Sequence, residues 1–282
     1  EQMRAYRRQI LKAAGDEPFE PLMTLFLHPQ MTEAQLAEVR TQIIGVKLYP
    51  DNITTNSAGG IRDLREVEPV LEFLQALDIP LLVHGETHGF VLEREAEFGA
   101  VYARWAKQFP RLRITMEHVT DRRNLALLDH FENLRATITL HHLLFTLDDL
   151  LGGALSPHHF CKPVVKTPAD RDALLAAALS ARPHVMFGSD SAPHPLPAKL
   201  ESGAAGCFTA PVCLPKLAEL FEAHGALHNL PDFVCYNARR AYHYEPVERI
   251  TTLVKQPMTV PEAIGTARPL FAGEAVSWSI AE

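Results

Sequence analysis

Residues 80–118 read PLLVHGETHGFVLEREAEFGAVYARWAKQFPRLRITMEH. Two short apolar runs, Pro80–His84 and Leu112–His118, flank a helical pattern over Glu93–Phe109. A strand, a crossover helix and a second strand in that order form a βαβ unit, whose strands run parallel. The alternation continues on both sides. Further strands are expected at Pro21–Leu27, Ile43–Tyr49, Ala136–Leu140 and His184–Asp190, with helices at Thr32–Thr41, Leu64–Leu77 and Pro168–Ala181. Strands this apolar suit a sheet covered on both faces. The fold class is α/β.

Two architectures compete. A doubly wound sheet calls for a Gly-rich turn after its first strand, and no expected strand is followed by GxGxxG. A (β/α)8 barrel, the TIM type, explains more. Lys47, His84, His118 and Asp190 each stand at or near the C-terminal end of a different strand. The first three fall roughly 35 residues apart, one βα unit, and Asp190 about two units further on. A barrel gathers those ends on the face where active sites are built. Only six strands are legible where a closed barrel needs eight, and an open arc would bare two strand edges. The expectation is therefore a single barrel domain over 1–282 whose first two strands precede Glu1, with the numbering beginning inside a longer protein. Residues 211–282 are read as C-terminal helices, about Pro211–His224 and Pro231–Arg240, and a tail.

Composition bounds the function. The chain has 282 residues, 47% hydrophobic and 22% charged, with a formal net charge of -7. These values are close to the globular average and exclude disorder, collagen and coiled coil. No apolar run reaches the ~18 residues of a membrane helix. Phosphate binding wants clustered Lys and Arg, so an acidic balance with pI ≈ 6.1 argues against nucleic acid as partner. Four scattered cysteines with no CxxC pair fit free thiols in a reducing compartment. EQMRAYRRQILKAAG (1–15) reads as an amphipathic helix and lacks the apolar core of a signal peptide. Cytoplasm is the default.

Two histidines, an aspartate and a lysine at converging strand ends point to metal chemistry. Neutral imidazole and carboxylate are ordinary ligands of Zn²⁺ and similar ions. An ammonium would repel the cation, but a lysine carbamate is an anion with two oxygens able to bridge two ions. Two divalent ions could then activate a shared hydroxide, and Asp190 could carry its proton to a leaving nitrogen. Each residue alone has a plainer reading. A strand-end histidine is often a hydrogen-bonded rim residue, a lysine there often snorkels to solvent, and Asp190 could cap the following segment. The four at repeat spacing favour the metal.

The segments VKLYPDNITTNS (46–57), LLVHGETH (81–88), TMEHVT (115–120), GSDSAPH (188–194) and GCFTAP (206–211) resemble the single-domain bacterial dihydroorotases of the amidohydrolase superfamily. The similarity runs from about residue 5 to AGEAVSWS (272–279). It implies a metal-dependent, reversible cyclisation of N-carbamoyl-L-aspartate to L-dihydroorotate in pyrimidine biosynthesis, by a cytoplasmic homodimer. It further implies Lys47 as a metal-bridging N6-carboxylysine, His84 and His118 on the second of two zinc ions, and Asp190 as ligand and proton shuttle. His194 matches a histidine on the substrate carboxylate. Thr54 and Thr55 match a loop that closes over the substrate, and the backbones of Lys162 and Ala205 match contacts to the pyrimidine ring. The family position of Lys162 is often apolar, so the side chain there is a departure. Nothing matches the family's initial HxHxR strand, whose histidines hold the first ion and whose arginine grips the substrate, nor the substrate-binding Asn of the second strand.

Two other functions fit less of this pattern. A hydantoinase or allantoinase would not need the His194 and Thr54–Thr55 matches. A non-catalytic dihydroorotase-like subunit would not need all four ligands. His141–His142 and His158–His159 are read as solvent-facing or supporting residues, at most one of each pair facing the site. No basic cluster flanks the cysteines in sequence, and Cys161 beside Lys162 is the least ordinary of them.

Overall fold

A computed structural model describes residues 1–55, 57–246 and 249–281; Asn56 of the DNITTNS stretch lies outside them. All six expected strands are present, shortened to their paired cores: β1 Thr24–Phe26, β2 Gly45–Leu48, β3 Leu81–Val83, β4 Ile114–Met116, β5 Leu134–Ile138 and β6 Val185–Phe187. They form one parallel sheet in the order β1-β2-β3-β4-β5-β6. A doubly wound sheet would reverse its strand order at a switch point. Strictly sequential order is that of a barrel wall. Among the described residues β1 and β6 each pair on one side only.

The helices expected from the sequence are present, and four short ones, at Arg122–Leu125, Leu140–Leu144, Leu147–Leu151 and Leu196–Leu200, were not expected. In chain order the helices are α1 Gln2–Ala14, α2 Glu33–Val39, α3 Glu68–Ala76, α4 Arg94–Gln108, α5 Arg122–Leu125, α6 Leu140–Leu144, α7 Leu147–Leu151, α8 Pro168–Leu179, α9 Leu196–Leu200, α10 Cys213–Ala223 and α11 Asn237–Tyr242. Reciprocal capping fixes three of the starts, Thr32 with Gln35 for α2, Thr146 with Asp149 for α7 and Thr167 with Asp170 for α8, where Pro168 adds its preset φ. α1 has no side-chain cap and buries no residue.

Period-two alternation divides the strands. Val46, Leu48, Leu81, Val83, Ile114 and Met116 turn toward the helix layer and pack with Leu71, Leu74, Phe98 and the fully buried Trp105. Lys47, Leu82, Thr115, Thr137 and Met186 take the opposite parity and face the inside of the arc. Large-to-small changes in the helix layer cost about 3–5 kcal/mol for an aromatic such as Trp105.

The tail differs from the expectation of helices followed by irregular chain. Beyond α11 it forms two short antiparallel ribbons, β7 Leu253–Val254 with β10 Ser279–Ile280, and β8 Met258–Thr259 with β9 Ala275–Val276. Two-residue strands are too short to leave a periodic signal. Trp278 Nε1 donates to Glu222 of α10 at 3.0 Å and Ser277 donates to Glu219, which pins the tail to that helix. α11 is tied to the sheet by Asn237 Nδ2 donating to Val185 O at 2.7 Å.

Candidate functional site

The C-terminal strand ends surround a cavity of about 180 Å³. Eight of the nine residues expected from the sequence line it: Thr54, Thr55, His84, His118, Lys162, Asp190, His194 and Ala205, joined by Tyr49, Ala192 and Gly206. The ninth, Lys47, lies beneath, its ammonium 4.6 Å from the Tyr49 ring centroid. A larger cavity of about 490 Å³ lies among Phe90, Leu151, Leu155 and Leu200. It is almost wholly apolar, and its one cation, Lys199, is already hydrogen-bonded to backbone, so the chemistry resides in the smaller one.

Local backbone geometry aims the ligating side chains. His118 has φ 45° and Asp190 φ 40°, left-handed values that L-residues seldom adopt. Each costs about 1–3 kcal/mol, a strain that concentrates at functional sites. Thr137 Oγ1 accepts the His118 N–H at 2.7 Å and steadies the turn. The His84 and His118 rings meet edge to face at 4.7 Å.

Burial sets the protonation states. Both histidines are pushed below their ordinary pKa by desolvation, opposed at His84 by Glu86 and reinforced at His118 by the His84 and Lys47 charges. They are held as neutral imidazoles, the form that binds metal. Glu86 accepts from His84 Nε2 at 2.7 Å, the carboxylate–histidine arrangement that orients a ligand. Burial also lowers Lys47 to about 7, against the pull of Asp190. Its Nζ is paired with Glu117. Asp190 is open to the cavity, yet the surrounding protein still strips its hydration and raises it to about 6, Lys47 opposing.

The donor set fits a metal. His118 Nδ1 is buried with no hydrogen-bond partner, a deficit of about 1–3 kcal/mol that a cation would remove. The donors of His84, His118 and Asp190 do not all fall within 4.8 Å of one another. Gathering all three on one ion would require side-chain movement.

The substrate side is already knitted together. His194 Nε2 donates to Ala205 O at 3.0 Å, and Ala205 N–H donates to Thr55 Oγ1 at 3.2 Å. Lys162 Nζ donates to Ile53 O at 2.8 Å, so its side chain holds the loop that carries Thr54 and Thr55. Gly206 has φ 149°, and a Cβ there would stand 2.6 Å from Ala192 Cβ and 2.9 Å from His194 Nε2. Only glycine fits.

No family model matches the chain. A dihydroorotase of Helicobacter hepaticus is 46% identical over 288 residues, covering 99% of this chain and 83% of that protein. The chain belongs to the dihydroorotase family. A crystal structure of Campylobacter jejuni dihydroorotase superposes with TM-score 0.93 at 46% identity, over 100% of this chain and 83% of that one. The Saccharomyces cerevisiae dihydroorotase, solved with 5-fluoroorotic acid, gives TM-score 0.90 at 32% identity, over 99% and 85%. The six-stranded wall is thus part of the (β/α)8 barrel of this family.

Some members of the site were not singled out in the sequence. Glu86 and Glu117 stand inside the quoted VHGE and TMEH motifs, and their proximity to the ligands was the available signal. Tyr49 and Gly206 offered none. Of the two roles expected for His141–His142, solvent-facing is corrected, since both are buried in α6, which leaves the supporting one. The chain leaves β5 at Ile138, two residues early, because Thr139 caps the helix by accepting from His142 N. His159 stacks on Phe145 at 4.1 Å, outside the cavity.

Proposed function

We propose that the chain catalyses the reversible cyclisation of N-carbamoyl-L-aspartate to L-dihydroorotate with loss of water, a step of pyrimidine biosynthesis. The observation that carries this is one cavity joining three candidate metal ligands, His84, His118 and Asp190, with Lys47 beneath them, to a carboxylate-binding candidate, His194. Divalent cations, zinc by the donor chemistry, would be held by those four residues and would supply Lewis acidity and a water of lowered pKa. Burial lowers Lys47 to about 7 and favours free amine, the form that reacts with CO2 to give N6-carboxylysine, while the Glu117 pairing favours the ammonium until it is exchanged. Carboxylation would exchange its pairing with Glu117 for metal.

Asp190 does the proton work. In the hydrolytic direction its carboxylate takes the proton of the attacking water and delivers it to the departing ring nitrogen; in synthesis the steps reverse. A pKa of about 6 suits both roles near neutrality. His194 orients the substrate carboxylate while Lys162 and Ala205 present backbone groups to the ring. Thr54 and Thr55 close over it and exclude water.

A homodimer in the cytoplasm completes the reading. The exposed apolar side chains Phe90, Leu151, Leu155 and Leu200 around one groove support self-association, and the free cysteines support a reducing compartment. The deciding assay compares ring opening of L-dihydroorotate with that of hydantoin. Dihydroorotate should be turned over, with a loss of about 10²–10⁴-fold in Asp190→Asn. Turnover of hydantoin alone would assign a different cyclic amidase, and turnover of neither a non-catalytic subunit.

A further inference from the structure

Directly behind the cavity wall lies a second set of soft donors. His141, Cys161 and Cys207 each place one ligand atom within 4.8 Å of the other two, and all three are buried. They come from α6, from the segment before Lys162 and from the segment after Gly206.

His141 is the decisive member. It is fully buried, and neither Nδ1 nor Nε2 has a hydrogen-bond partner. Its neighbour His142 shows what a satisfied buried histidine looks like here: Nδ1 meets Thr139 Oγ1 at 2.9 Å and Nε2 meets Pro163 O at 3.1 Å. Two orphaned nitrogens on one buried ring are rare, and such groups call for an explanation such as an ion. His142 Nε2 also reaches Cys161 Sγ at 3.3 Å and orients that sulfur.

We infer that His141, Cys161 and Cys207 form a metal site for a thiophilic cation of the Zn²⁺ type, separate from the Lys47–His84–His118–Asp190 centre. Tetrahedral zinc with two sulfurs at about 2.3 Å and a nitrogen at about 2.0 Å sets its donors about 3.5–3.8 Å apart. The three donors, already within 4.8 Å of one another, would draw together to these separations on binding. Binding releases both thiol protons to solvent, and the two thiolates cancel the charge of the cation. Burial and the Cys207 contact hold the Cys161 thiol protonated until the metal displaces that proton. The Lys199 ammonium gives its three N–H groups to the carbonyls of Phe160, Ala204 and Gly206 and adds a buried positive charge that favours anionic sulfur. The ion would clamp the segments presenting Lys162 and Ala205 to the substrate.

Cobalt titration of the reduced protein tests this, because none of the four residues at the first centre carries sulfur. Wild-type protein should develop a thiolate-to-cobalt charge-transfer band. The band should persist in His118→Ala and vanish in Cys161→Ser/Cys207→Ser. His141→Gln keeps both thiols and serves if the double variant does not fold; it should bind cobalt at this band about tenfold or more weakly. A wild-type protein with no band at saturating cobalt overturns the proposal. So does a band unchanged in the cysteine variant, or a chain isolated metal-free and lighter by the two hydrogens of a Cys161–Cys207 disulfide.

Discussion

His141 carries a thermodynamic signature at the scale of a single residue. Burial lowers it to about 3, so in the metal-free protein the unfolded chain binds a proton below pH 6.5 that the folded chain refuses. Stability then rises with pH wherever the unfolded state binds more protons, and this group's share is lost as pH falls from 6.5 toward 3. The slope is about 1.4 kcal/mol per pH unit. Denaturant melts in chelator at pH 4 to 7 should show His141→Gln losing about that much slope. At the first centre, Lys47→Ala removes the amine proposed to hold the metals and should lower turnover by about 10³-fold or more while the fold is retained. The placement of Lys47, His84, His118 and Asp190 was the most legible part of the sequence, because a strand end is a fixed address and spacing reads it. The partners Glu117 and Glu86 could not be assigned that way, since which carboxylate meets which base depends on neighbouring strands. The orphaned ring of His141 was invisible for the same reason, with Cys161 and Cys207 reaching it from distant segments.

At the scale of elements, the described residues of the loop over 50–60 are bonded among themselves and to their flanks, with Asn52 N donating to Ser57 O at 3.2 Å and His88 Nε2 meeting Asp51 O at 2.8 Å. Asp51 accepts from Arg62 Nε at 2.8 Å and from Gly59 N at 2.9 Å, and these build the loop's own frame. Lys162 and Ala205 tie it across the cavity. Thr55→Val with Lys162→Met removes both ties. Limited proteolysis should then cut this loop first and faster than in wild type, and KM should rise about two- to tenfold for each hydrogen bond lost. Cleavage at an unchanged rate would mean that the ties do not hold the loop. Gly206→Ala acts from the opposite wall, where the new Cβ meets Ala192 and His194. Displacing His194 by about 1 Å should lower kcat/KM about 100-fold. The long helices were readable from periodicity and caps to within a residue or two. The β5–α6 junction was not, because an apolar run continues unbroken from strand into helix.

The whole molecule is a sequential parallel wall with its chemistry on one rim and its C-terminal segment bonded to α10 and to the segments that follow β6. The two tryptophans report on both parts: Trp105 is buried against the sheet, and Trp278 lies in the tail bonded to α10. If residues 1–282 make one domain, Trp105→Phe and Trp278→Phe proteins should each show a single fluorescence transition, the two coinciding with far-UV circular dichroism. Separate midpoints would divide the chain. Sequential strand order was legible in the βα repeat, whereas the tail ribbons pair residues far apart and left no local trace. The central claim, that the converging strand ends build a metal centre on a carboxylated lysine, is tested most directly by anomalous diffraction from crystals of the protein grown with zinc and bicarbonate. Density is expected on Lys47 Nζ for a carboxylate flanked by anomalous peaks, one against His84 and His118 and another against Asp190. Lys47 still paired with Glu117 in zinc-loaded crystals, and no anomalous peak at the two histidines, would contradict the account.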